Sequence, residues 1–153
     1  MPSIAYDLLL NKPQLAEQLR QIFENDDLIE VVQVRADQIL ADQQFILWEG
    51  NAQTFQFTYV SKSAEAILGY PCSRWTSEPS FWADVVVAPC HKRDAVAYCA
   101  LATGQGRDHD FEYLARTADG RMVPLFDAVK VVIGTRGIPV RLRGIMMPSD
   151  AVG

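Results

Sequence analysis

The sequence predicts an α+β domain, a five-stranded antiparallel sheet with short helices on one face, preceded by an N-terminal helix. Three observations predict it. Residues 54–60, 108–116 and 140–146 alternate apolar and polar side chains with the period of a half-buried strand. Gly50-Asn51, Asp119-Gly120 and Gly134-Thr135-Arg136-Gly137 have the composition of hairpin turns. Between the first two alternating regions the apolar residues fall at helical spacing instead.

Each element has its own signal. Asn11 as N-cap, Lys12-Pro13 in the first turn and the stripe Leu15, Leu19, Ile22, Phe23 predict the N-terminal helix. Asn25-Asp26-Asp27 breaks it. Leu28 to Leu40 is read as a second helix, although Val31, Val32 and Val34 also suit a strand. Gln43 to Trp48 reads as the first strand and Thr54 to Val60 as the second, with Phe55, Phe57 and Tyr59 sharing a face. Ser61 and Ser63 offer caps to a short helix over 64–68, which Gly69 ends and Pro71 keeps from continuing. Residues 72–90 read as irregular, with one short turn of helix. His91 to Thr103 reads as a helix with the apolar face Ala95, Tyr98, Cys99, Ala102, closed by Gly104. Asp108–Arg116, Met122–Ile133 and the run around Val140–Met146 are the last three strands. The organisation that follows is a helical extension (1–40), a single α+β domain (41–148) and a tail (149–153).

Composition excludes several classes. In 153 residues, 49% are hydrophobic and 22% charged, which suits one ordinary core and not a disordered chain. No apolar run approaches the roughly 18 residues of a membrane span. The opening MPSIAYDLLLNK lacks the basic region of a signal peptide, and three scattered cysteines form no disulfide framework. A soluble cytoplasmic domain is expected. A net charge of −5 without a basic stripe argues against nucleic acid.

The strand–helix–strand order and four local stretches together resemble the PAS (sensory box) family. Phe57-Thr58-Tyr59-Val60-Ser61 through Ile67-Leu68-Gly69-Tyr70 resembles its "FxYVSxxxxxILGY" stretch, and Phe81-Trp82 the "FW" before its "HPDD" corner. Asp110-Phe111-Glu112-Tyr113 with Asp119-Gly120-Arg121 resembles "EYRxxxxDGR", and Arg141 to Met146 the "xxxGxxxDIT" end. Two places depart from the pattern. The "HPDD" corner reads Ala88-Pro89-Cys90-His91, and the "DITERK" exit reads Met147-Pro148-Ser149-Asp150. The resemblance implies a PAS-like sensor domain in signal transduction, without catalysis, that binds a small ligand or a protein partner. It also implies a homodimer, with Leu15, Leu19, Ile22 and Phe23 in the contact.

Candidate site residues follow from these stretches. Trp75, Phe81, Trp82, Tyr98 and Cys99 line a ligand pocket or simply fill the core, because both use the same apolar residues. Cys90 and His91 at a helix start offer a thiol for a covalent chromophore or an imidazole for haem. Val87-Ala88-Pro89-Cys90 resembles the chromophore-bearing corner of the family's photoactive branch. Tyr59 then lies near that branch's tyrosine, while its glutamate position falls on Ser63 or Ala64. Cys72-Ser73-Arg74 keeps only a fragment of the flavin-binding branch's "NCRFLQ". No cofactor is expected, haem being the exception to watch. No zinc spacing, phosphate loop or nucleophile elbow is present. His109 alternates onto the face of Phe111 and Tyr113, as a packed strand histidine would. The rival class is a small α+β-cone enzyme of the ketosteroid-isomerase type, which needs a carboxylate in an apolar cavity and an oxyanion donor. Asp127, inside a strand, is the one carboxylate placed for that role.

Overall fold

The computed structural model describes residues 45–149. They form β1 (Ile46–Asn51), β2 (Phe57–Val60), α1 (Ser63–Leu68), α2 (Cys72–Ser77), a π-helical turn (Trp82–Val86), α3 (Pro89–Gly104), β3 (His109–Arg116), β4 (Met122–Ile133) and β5 (Pro139–Pro148). The strands make one five-stranded sheet in the order β2-β1-β5-β4-β3, and every pairing is antiparallel. The predicted N-terminal helix and its dimer stripe lie outside the described residues.

Alternation assigns the two faces. Ile46, Trp48, Leu125, Val129, Val131, Leu142 and Met146 point inward and join the core under the helices. Leu47, Glu49, Arg143, Ile145 and Met147, one residue out of step, occupy the outer face and are also buried. The inner core runs as a chain of rings. Trp48 stacks on Phe57 at 4.8 Å, Phe57 meets Trp75 at 5.4 Å, and Trp75 meets Phe81 at 5.2 Å. Such pairs add to the area each ring removes from water.

Three local expectations change. Gly50 and Asn51 belong to β1, and the hairpin turn comes later. Asn51 Oδ1 accepts the N–H groups of Gln53 (2.7 Å) and Thr54 (3.0 Å), and Phe55 sits at φ 61°. The two serines do not cap α1. Ser61 Oγ accepts the Leu47 N–H at 3.0 Å, and Ser63 Oγ donates to the Phe45 carbonyl at 2.6 Å, which ties α1 to β1. Gly69 does end α1, at φ 89°, donating its N–H to Glu65. Residues 72–90 hold more helix than the one short turn expected: α2, the π-helical turn and the first residues of α3. Trp75, 1% exposed, anchors α2, and an Arg74–Glu78 ion pair bridges its end.

Gly144 fixes the centre of the sheet. It pairs with Trp48, and a Cβ there would overlap the indole ring. The ring cannot yield easily, since Phe57 stacks on it and its Nε1 is hydrogen-bonded below. Gly144→Ala is therefore expected to cost about 3 kcal/mol, the upper part of the overpacking range. A urea melt within about 1 kcal/mol of the parent would contradict this account.

Candidate functional site

The inner row of β4 is apolar except at Asp127, which is 1% exposed and opposes Phe111 of β3 and Met146 of β5. Two donors hold it. Trp48 Nε1 donates to Oδ1 at 3.0 Å, and the Tyr113 hydroxyl donates to Oδ2 at 3.1 Å. Tyr113 in turn accepts the Trp82 Nε1–H at 2.9 Å. Three strands and the π-helical turn thus converge on one carboxyl. Burial pushes its pKa up to about 7 even though both donors favour the charged form. Burial, then the Asp127 charge, holds the Tyr113 hydroxyl well above its ordinary value.

Beside this network, Cys99 of α3 faces His109 of β3. The imidazole Nδ1 donates to the Arg107 carbonyl at 2.9 Å, so Nε2 accepts from the Cys99 thiol at 3.4 Å. Burial first, and the Asp127 carboxylate second, push the thiol up to about 12. Burial also lowers the pKa of His109. A neutral thiol on a neutral imidazole is no activated nucleophile. The donors an isomerase would aim at an oxyanion, Trp48 and Tyr113, are spent on the carboxyl itself.

Two spaces with three lining residues in common adjoin each other, and Asp127 lines the smaller one. The inner one, about 20 Å³, is walled by Trp48, Phe55, Phe57, Trp82, Phe111 and Asp127 among others. The outer one, about 200 Å³, lies between α3 and the 52–56 turn and shares Phe55, Trp82 and Cys99 with the first. The inner space has room for about one water-sized group.

The expected site residues separate. Trp82 and Cys99 line both spaces. Trp75 and Phe81 are core, each ring against the other. Tyr98 is half-exposed, its ring against His109 and Phe111. Tyr59 faces away. A register shift in the β1–β2 ladder sets Phe57 opposite Gly50 but Tyr59 opposite Glu49, on the outer face. Phe57 and Tyr59 therefore do not share a face. Cys90 is exposed at the start of α3. His91 Nδ1 accepts the Leu114 N–H at 2.9 Å, which leaves the ring proton on Nε2, the nitrogen a haem iron would need bare. Cys72 of the flavin-like fragment turns its Sγ to the Ser61 carbonyl and lines neither space. Among the described residues no group of three His, Cys, Asp or Glu is placed to hold a metal. No described helix is long and apolar enough to cross a membrane.

Trp48, Phe55, Phe111 and Tyr113 were not expected at the site. Trp48, Phe111 and Tyr113 are inner-face aromatics of β1 and β3 on the same face as an acid of β4, whereas Phe55 lies in the 52–56 turn that the alternation assigns to a strand.

Comparison with known proteins gives one family. The family model described as the PAS fold matches residues 57–146. The N-terminal domain of a diguanylate cyclase with PAS/PAC sensor from Marinobacter aquaeolei is 34% identical with a TM-score of 0.64, over 68% of this chain and 94% of that one. A sensory box histidine kinase/response regulator from Burkholderia thailandensis is 20% identical, TM-score 0.57, over 74% of this chain and 83% of that one. A light-oxygen-voltage domain is 18% identical, TM-score 0.60, over 78% of this chain and 86% of that one. Among curated proteins nothing matches.

Proposed function

The chain belongs to the PAS fold family, and from that premise we propose that residues 41–148 are a sensory module whose cue is a small molecule held in the cavity above Asp127. The observation that carries this reading is the cavity itself. Aromatic side chains wall it, one buried polar cluster ends it, and the 52–56 turn and α3 border its mouth. Ligand sites have that character, largely apolar with a few convergent polar groups. The module acts by population shift: an occupant that contacts α3 and the turn favours one of two arrangements of these elements on the sheet, which a partner protein reads. The Marinobacter relative is named as a diguanylate cyclase with such a sensor, which supports a signalling output for this chain too.

A thermal-shift screen tests the reading. A ligand at about 100 times its Kd adds about 2.7 kcal/mol, a rise of roughly 5–10 °C for a chain of this size. Cys99→Trp should fill the cavity and abolish the rise while the domain stays folded by circular dichroism. A broad set of neutral, anionic and cationic small molecules giving no shift would favour a ligand-free docking module instead.

A further inference from the structure

We infer that the cavity takes a small primary ammonium compound with an aryl or alkyl tail, its –NH₃⁺ group against Asp127 in the inner space and its tail in the outer one. The inference rests on the cavity being the ligand site, and deepens that reading by naming the ligand's charge and shape.

The wall chemistry selects a cation. Among the described lining residues Asp127 is the one carboxylate, and none is Lys, Arg or His. Trp48 and Tyr113 each occupy a different carboxylate oxygen, so both oxygens keep acceptor capacity for a third donor. The rings of Trp48, Phe57, Trp82 and Phe111 border the same space, and aromatic faces attract cations. An anion would meet the carboxylate and the ring faces with the same sign of charge. Above about pH 7, where Asp127 is ionised, a neutral ligand would leave its charge buried without a counter-charge.

Size selects the kind of cation. The inner space of about 20 Å³ admits one water-sized group, which an –NH₃⁺ matches and a trimethylammonium exceeds. The outer space of about 200 Å³ is in the range of a cavity that accepts a benzene ring. The groups facing Asp127 leave it to titrate alone near neutrality. Tyr113 from β3 is held well above its ordinary value, Cys99 from α3 is pushed up to about 12, and Trp48 of β1 and Met146 of β5 do not titrate. His109 contacts the Cys99 thiol.

The test uses the intact chain and three matched probes: 2-phenylethylamine, 2-phenylethanol and 3-phenylpropionate. At pH 8 the amine should raise the melting temperature and the alcohol and acid should not. By calorimetry, Asp127→Asn should weaken the amine at least about tenfold, the worth of one charge-assisted hydrogen bond. Affinity in the parent should fall as pH drops below about 7, where Asp127 takes up its proton. Should Asp127→Asn not fold, Cys99→Trp, which leaves the carboxyl in place, must abolish the amine effect. An alcohol or acid that binds as well as the amine, or an amine effect that survives Asp127→Asn, overturns the inference and leaves the cavity a ligand site. No binding by any probe, with no shift in the broad screen, removes both.

Discussion

Asp127→Asn should make the protein more stable than its parent at pH 8 and no more stable at pH 5. The carboxyl's ordinary value is 3.8 and burial raises it to about 7. Between those values the folded chain holds a proton that the unfolded chain has released, so stability falls as pH rises. The loss begins above about 4 and is complete above about 7. A shift of about three units corresponds to about 4 kcal/mol at most, at about 1.4 kcal/mol per unit. Asparagine has nearly the same shape and no charge, so its stability lacks this decline. It loses part of what the carboxylate gives Trp48 and Tyr113, about 1–2 kcal/mol. A net gain of about 2 kcal/mol at pH 8 remains. Urea unfolding of both proteins at pH 5 and pH 8 measures it. The low-lying titration of His109 is common to both chains and drops out of the difference. Parallel pH profiles would mean that Asp127 is not the titrating group.

That instability is what a cation would relieve. A buried charge held only by neutral donors is destabilising in the empty protein, and a positive partner converts it into binding free energy. Sites with this property commonly sit where function needs them rather than where stability would.

The sheet was legible because its signals are local. Alternation in β3, β4 and β5 and the Asp119-Gly120 turn each lie within a few residues, and the structure follows them closely. The site was less legible because its contacts are not local. Trp48 and Asp127 are 79 residues apart, and nothing in either segment names the other as partner. Asp127 stood out only as an acid inside a strand. Tyr59 was misplaced because one register shift between Glu49 and Gly50 turns it to the outer face, and a count of alternate residues cannot register an extra one. Cys90 and His91 are adjacent in sequence, yet the start of α3 exposes the thiol and ties the imidazole to the backbone of β3. Trp75, in the first helical piece within 72–90, packs on Phe57 of β2 and on Phe81, contacts between residues that the local pattern does not pair.

Arg143→Met should lower stability by about 3–5 kcal/mol, the range for breaking a buried ion pair by removing one member. Arg143 is 0% exposed in the central strand of the sheet, and Glu49 beside it is 2% exposed. Its Nη2 and Nε donate to Glu49 Oε2 at 2.6 and 3.0 Å, and Arg141 Nε lies 3.8 Å from the same oxygen. The methionine fills most of the volume, so the loss reflects the charge left on Glu49 rather than a cavity. The double variant Glu49→Leu/Arg143→Met removes both charges and should recover most of the loss, since apolar replacements of buried pairs are often neutral or better. Burial also shields the pair from salt, so the coupling should persist at 1 M NaCl, where the Debye length is about 3 Å. The consequence reaches the cavity through register. Glu49–Arg143 is the rung next to Trp48–Gly144, one on the outer face and one on the inner. A slip of one residue between β1 and β5 would carry Trp48 off Gly144 and its indole off Asp127. Arg143→Met should therefore weaken any ligand that Asp127 binds, and the double variant should restore it. A single variant as stable as the parent, or a double variant no better than the single, would mean that the pair sets neither stability nor register.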